Sequence, residues 1–379
     1  MRRTGFTILP LHTGHAPRWL IYRMENLSKE IIWLIIEEYG TDEFLRRISN
    51  PYWFQALGCV LGFDWHSSGL TTVVSGVLKR VFSHENYGIK VAGGKGKASL
   101  KTQIEIDKIG EEFNLSSQNI DKLKYASKIC AKVDNTAIQA GYPLYHHAFF
   151  LTEKGKWSIV QQGMNIEDRT ARRYHWLSED LGSFIIEPHK AIIGDVKKPS
   201  VLNMTAKEAE ENRNTCVDLV KENPNNIISS IRRISNPYTL DFWTQNQIAN
   251  IEGYLMPRNL NWDVFRRLYE FQPKNYEELL SFKGVGPSVV RALALVSELV
   301  YGKHASWKDP VKYSFAFGGK DGVPRPINKK EMDKAIRILK DAIDQAKIDR
   351  KEKVQAIKRL QRFINITNLK DPSILPSML

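Results

Sequence analysis

The sequence predicts an α+β fold: a mixed N-terminal domain around a β-hairpin-containing sheet, followed by a mainly helical C-terminal domain. Three observations predict it. His147 to Gln162 hold the strongest β signal, with Ala148–Thr152 and Trp157–Gln161 flanking the hairpin-like Glu153-Lys154-Gly155-Lys156. Apolar residues at helical spacing precede this hairpin and dominate the second half. Between about 194 and 204, Gly194, Lys197, Lys198, Pro199 and Asn203 break all periodicity, which places a domain boundary there. Domains are therefore expected at 1–196, 205–327 and 328–379, the last made of basic helices.

Residues up to about 25 read as irregular, punctuated by Gly5, Pro10, Gly14 and Pro17. A helix is expected from Leu27 to Tyr39, stopped by Gly40. A second runs from the Thr41-Asp42-Glu43 cap to Ser49-Asn50-Pro51. Phe54 to Phe82, apolar and rich in small residues, reads as a buried helix pair around the polar Asp64-Trp65-His66-Ser67-Ser68. Tyr87 to Val91 reads as a strand running into Gly93-Gly94-Lys95-Gly96-Lys97, with two helices between Gln103 and Gln139. Beyond the hairpin, Phe184 to Glu187 is a further expected strand, ended by Pro188. Thr205 to Glu208 has capping-box spacing and opens the helical half. From Ile327 to about Ile364 neither glycine nor proline occurs, so one bent helix or two consecutive ones are expected. The string Arg46-Arg47-Ile48-Ser49-Asn50-Pro51-Tyr52 recurs at 232–238 with unrelated flanks, a shared way of ending a basic helix rather than a duplicated domain.

The 379 residues are 42% hydrophobic, enough for packed cores. Lys and Arg outnumber Asp and Glu by 55 to 42, giving a formal charge of +13 that favours a polyanionic partner through counterion release. Cys59, Cys130 and Cys216 form no CxxC pair, so neither a zinc ribbon nor a disulfide framework is expected, and the cytoplasm is the expected compartment. Ile31 to Ile36 is too short to span a bilayer, and no apolar run follows Met1-Arg2-Arg3, so no membrane association is expected.

Within the second half, Tyr276 to Leu280 and Pro287 to Tyr301 read as two helices joined by Phe282-Lys283-Gly284-Val285-Gly286-Pro287. The glycines suit a tight turn with outward amides, Pro287 suits a first helical turn, and Val285 would pin the turn to the core. This pattern, over 276–301, resembles the helix–hairpin–helix modules of DNA repair proteins, which hold the sugar–phosphate backbone. The resemblance implies phosphate contacts at Lys283, Gly284, Val285, Gly286, Ser288 and Arg291. Some DNA glycosylases with this hairpin carry a catalytic lysine where Ser288 stands here, and an aspartate downstream, near Asp309. Without the lysine, lyase chemistry has no nucleophile at that place. An aspartate before proline is more often a turn residue.

Three polar islands in the first half carry candidate chemistry: Asp64-Trp65-His66-Ser67-Ser68, Gly93 to Lys97, and Tyr145-His146-His147 with Gln161 to Asn165 and Arg172 to Trp176. Histidine, carboxylate, lysine and amide groups converging on one cleft would suit hydrolysis. The candidate catalytic residues are His147, His146, Asp64, His66, Asn165 and Lys95. Candidate nucleic-acid contacts outside the hairpin are Lys97, Arg172 and Arg173. The third island resembles phospholipase-D-type phosphodiesterases, in which a histidine on one strand attacks phosphorus and an asparagine closes the next hairpin. Ala148 and Phe149 stand where that family has its lysine. That mechanism needs two such motifs, which for one motif per chain implies a homodimer. Gly94-Lys95 lacks P-loop spacing, so a basic glycine loop is expected rather than a nucleotide-hydrolysing one. No metal-ligand spacing stands out; a divalent Mg²⁺ or Mn²⁺ remains open as cofactor.

The opening Arg2-Arg3-Thr4-Gly5-Phe6 with Leu9-Pro10-Leu11-His12, the block Gly62 to Gly69, Ala92 to Lys97, Tyr145-His146-His147, Gln161 to Asn165 and Arg172 to Trp176 together resemble a prokaryotic family. It is catalogued as domain of unknown function 763 and is frequent in archaea. The resemblance covers most of the chain through the hairpin, implies a prokaryotic cytoplasmic protein and brings no activity with it. The leading expectation is a DNA-processing protein, specifically a nuclease, with RNA left open as substrate. The alternatives are a non-catalytic DNA-binding or adaptor protein in repair and a glycosylase-like base-excision enzyme.

Overall fold

The computed structural model describes residues 16–63, 68–194, 197–234, 255–311 and 329–368. Asp64, His66, the opening motif through His15, the second copy of the repeat from Ser235 onward and Gly318 to Gly322 lie outside them. Helix α1 (Arg18–Ser49) contains the expected stop as a bend: Gly40 sits inside it at φ 81° and ψ 171°. Asn50 then caps α2 (Pro51–Val60), its side-chain oxygen accepting from the amides of Tyr52 and Trp53 at 2.9 and 3.1 Å. Pro51 opens the helix, where its missing N–H is harmless. Helix α3 (Gly69–His84) completes the expected pair.

Strand β1 (Ile89–Lys95) extends further than Tyr87 to Val91, absorbing Gly93 and Gly94. Only glycine permits this, because a Cβ at Gly93, at φ 89°, would overlap the His147 carbonyl oxygen across the ladder. A 3₁₀ turn (Gly96–Lys101) leads into α4 (Thr102–Glu112), and α5 (Ser117–Lys132) ends in a π-type turn, Val133–Ala137. After the short β2 (Ile138–Gln139) come β3 (Leu144–Thr152) and β4 (Trp157–Asn165), the expected hairpin. Strand β5 (Thr170–Leu177) is the island read as polar from sequence, and it is buried along its whole length.

Phe184 to Glu187 forms no strand. The Ser183 hydroxyl accepts from the amides of Ile185 and Ile186 at 3.1 and 3.2 Å, a local turn that competes with a ladder. The strand lies after Pro188, as β6 (Ala191–Gly194). The order β1-β3-β4-β5-β6 is antiparallel throughout, and β2 pairs separately with β7 (Leu202–Asn203). The Thr205–Glu208 spacing does not act as a capping box. Thr205 donates to Asn203, Glu208 accepts from Ser306, and α6 (Glu210–Lys221) starts only at Glu210.

Helices α7 (Pro224–Ile234), α8 (Trp262–Phe271), α9 (Tyr276–Ser281) and α10 (Pro287–Tyr301) form the helical second half. The basic tail is two helices, α11 (Lys329–Gln345) and α12 (Arg350–Asn368). The sheet is covered on both faces. Ala148, Phe150, Val160 and Leu177 face α1–α3, while Phe149, Leu151, Ile159 and Trp176 face α4, α5 and the second-half helices. Burial on both sides explains why Ala148 to Leu151 is continuously apolar instead of alternating. The boundary expected at 194–204 does not divide the core. One cluster runs from Ala92 through Trp176 to Val296, and Leu339, Ala342, Ile343, Ala356 and Leu360 return to pack with α1 and α2. Among the described residues no helix is long and apolar enough to cross a membrane.

Candidate functional site

Strand alternation sends His146 and His147 to opposite faces of the sheet, so they do not share a site. His147 points toward α5, where Ser127 Oγ lies 3.0 Å from Nε2 and Gln161 Oε1 lies 2.8 Å from Nδ1. Gln161 passes the chain on, donating to Asp134 Oδ2 at 2.6 Å, and Trp176 Nε1 donates to the same oxygen at 3.0 Å. His189 closes the cluster on Asp134 Oδ1. Burial lowers the His147 pKa to about 4 despite the Gln161 bond, and burial raises that of Asp134 against its donors. With both ring nitrogens occupied, His147 pins the helix layer to the sheet and has no lone pair free for attack.

On the other face, His146 stands between Lys95 on β1 and Gln162 on β4. Neither ring nitrogen has a partner among the described residues, although the residue is only 1% exposed. Burial, then the neighbouring His147 and Lys95, lowers its pKa to about 3, so the imidazole is neutral. Gln162 donates to the Ser68 carbonyl at 2.9 Å and contacts the Tyr145 hydroxyl. The row continues to Arg173, bonded to Gln55 at 3.2 Å and Thr71 at 3.3 Å, with its guanidinium over Phe54. A cavity of about 250 Å³ opens beside His146 between α3 and β1, lined by Thr72, Ser75, Lys79 and Lys95 among others. Lys79 is held by Glu105 and the Gly93 carbonyl, each at 2.7 Å, and Glu105 also accepts the Gly93 amide at 2.6 Å.

The remaining candidates are placed elsewhere. Asn165 closes the β4–β5 turn by bonding Asp168 at 2.8 and 3.0 Å. Lys97 is exposed on the 3₁₀ turn after β1. Arg172 and Arg173, expected at a nucleic-acid surface, are interior. Arg172 pairs with Asp309 at 2.7 Å, both side chains fully buried, and stacks over Tyr142. Asp309 also accepts the amides of Lys198 and Val311 at 2.8 and 3.1 Å, which commits the carboxylate to joining the two halves. Asp134, His189, Ser75, Lys79 and Glu105 were not singled out from sequence. They come from separate elements, and no spacing rule links them.

The segment from α9 to α10 is a tight turn. Asn275 caps α9 by accepting from the Glu278 amide, while Glu278 accepts from that of Lys274, both at 2.9 Å. Val285 is fully buried, whereas Lys283, Gly284, Pro287 and Ser288 are exposed. Gly284 has φ 102°, and a Cβ there would come within 2.9 Å of Val264. Gly286 differs from the sequence expectation: its φ of −119° is ordinary and a Cβ would meet nothing within 4 Å. Arg291 faces inward, donating to Gln139 at 2.9 Å beside Trp307, and Gln139 donates to the Pro287 carbonyl at 2.8 Å. The turn is thus fastened to the first half through β2.

The fold is a helix-covered antiparallel sheet carrying a polar, cavity-bordered row on one face and an exposed glycine turn on its helical half. Over residues 5–327 the chain matches the family described as Protein of unknown function (DUF763), and it belongs to that family. No curated protein and no solved structure matches it. Among the described residues, no three His, Cys, Asp or Glu side chains cluster as a metal site would require.

Proposed function

We propose that this protein is a DNA-processing phosphodiester hydrolase that grips the nucleic-acid backbone through a helix–hairpin–helix at 276–301. The observation that carries the reading is the turn itself. Val285 anchors it from within while Lys283, Gly284, Pro287 and Ser288 stay exposed at the start of α10. The first amides of a helix lack intrahelical acceptors and sit at the positive end of its dipole, which suits a phosphate. The charge of +13 supports the same partner. Chemistry is assigned to the His146 face of the sheet, where a neutral imidazole with unbonded nitrogens borders a cavity with Lys95 at its edge. A phosphodiester bound beside His146 would raise the basicity of its imidazole, which could then take a proton from an attacking water, while an ammonium can offset charge developing on phosphorus.

Incubating the purified protein with labelled single-stranded, duplex and flap DNA and with RNA, with and without Mg²⁺ or Mn²⁺, tests the reading. Cleavage that disappears in His146→Asn while binding persists is the expected result. A second reading is a non-catalytic binding or adaptor protein, favoured by how many polar candidates the fold itself uses: His147, Asn165, Arg172 and Asp309 all have intramolecular roles. Binding without cleavage of any substrate selects that reading.

A further inference from the structure

The cavity between α3, β1 and β3 has an unusual lining. Both nitrogens of His146 and the Ser75 hydroxyl lack partners among the described residues, on side chains whose residues are 1% and 2% exposed. Buried polar atoms left unpaired destabilise a fold unless something else satisfies them. The Thr72 hydroxyl also lines the space, bonded to the Gly69 carbonyl at 3.0 Å. At the rim, Lys95 is exposed and has no carboxylate partner among the described residues, unlike Lys79, which Glu105 neutralises. Gly76, Gly93 and Gly94 line the walls without side chains, and no carboxylate is part of the lining. One unpaired ammonium, neutral donors on the wall and no acidic group favour a compact anion over a cation.

We infer that this cavity receives a terminal phosphate group, the end that hydrolysis at this same site would leave, with Lys95 supplying the charge and Ser75 and His146 the hydrogen bonds. The space of about 250 Å³ is more than ten times the roughly 10–15 Å³ that a single water needs, room for a phosphate and its ester oxygen. The carrier rests on the nucleic-acid reading above: the phosphate is the end of a strand held at the hairpin. A free phosphate or nucleoside monophosphate is the other source of the same chemistry. A phosphate beside His146 favours its protonated form, so binding shifts the ring resonances of this residue.

The test compares the full chain binding one oligonucleotide with a 5′-phosphate, a 3′-phosphate or hydroxyl ends, alongside nuclear magnetic resonance of His146 titrated with inorganic phosphate. A phosphorylated end is expected to tighten binding by roughly tenfold, the scale of one charge-assisted hydrogen bond. That ratio should fall toward one in Lys95→Met, at an exposed site that tolerates substitution, and in Ser75→Ala. A His146 shift with phosphate in a chain that binds no oligonucleotide keeps the pocket and removes the nucleic-acid reading. Equal binding of all ends, with His146 unmoved by phosphate, overturns the pocket and leaves the hairpin reading standing. A tenfold preference unchanged in both variants also overturns it.

Discussion

Asp309 and the buried histidines show how single residues in this protein trade surface chemistry for internal order. The Arg172–Asp309 pair has no solvent on either side chain, and removing one partner of such a pair strands the other charge in the interior. Asp309→Ala should therefore lower stability by about 3–5 kcal/mol, read as a shift in the urea midpoint. A change under 1 kcal/mol would mean that water reaches Arg172. His146, His147 and His175 all have folded pKa values pushed below 6.5 by burial, to about 3 and about 4 for the first two. Between pH 6.5 and 4 the unfolded chain binds protons that the folded chain excludes, so stability is fully present above pH 6.5 and is lost as pH falls. Each such histidine contributes a slope of up to about 1.4 kcal/mol per pH unit. Asp134, raised above 3.8 by burial, acts in the opposite sense over the low end of this range, one group against three. Urea melts from pH 7 to 4.5 should show the decline; a flat profile would contradict neutral burial.

At the scale of elements, the turn between α9 and α10 separates conformational need from ligand approach. Gly284→Ala places a side chain at φ 102° against Val264 and should destabilise by about 1–3 kcal/mol. Gly286→Ala meets no neighbour and should leave stability within about 0.5 kcal/mol. If the Gly286 side of the turn meets a phosphate backbone, the same substitution weakens nucleic-acid binding with the melting curve unchanged. Intact binding in Gly286→Ala would leave that glycine without a role in recognition. The β3–β4 hairpin was legible in sequence because its loop chemistry and apolar runs are local. Strand β5 was not. Arg172, Arg173 and His175 look like a solvated loop until Asp309, Gln55 and the Ile48 carbonyl are brought to them.

For the whole molecule, the C-terminal helices complete the N-terminal layer. Leu339, Ala342, Ile343, Ala356 and Leu360 are buried against α1 and α2. Deleting residues 329–379 should therefore expose an apolar face, lower the melting temperature of the remainder and weaken hydrogen-exchange protection in α2. A truncated chain with unchanged protection there would make the tail an appendage. The positive charge belongs to this scale too. Affinity for nucleic acid should fall steeply between low and physiological salt, linearly in log–log form, and a flat response would remove the backbone-grip reading.

The sequence by itself determined the mixed fold, the central hairpin and the glycine turn, because these depend on residues a few positions apart and on backbone angles few side chains accept. It also determined the family, through motifs spread along most of the chain. Only the tertiary structure decided that adjacent His146 and His147 serve opposite faces, and that Arg172 is an interior clamp on Asp309. It alone joined Lys95, Ser75 and His146 around one cavity. These outcomes rest on strand pairing and burial between distant segments, which fix the partner of a polar side chain and so whether it stays free for chemistry.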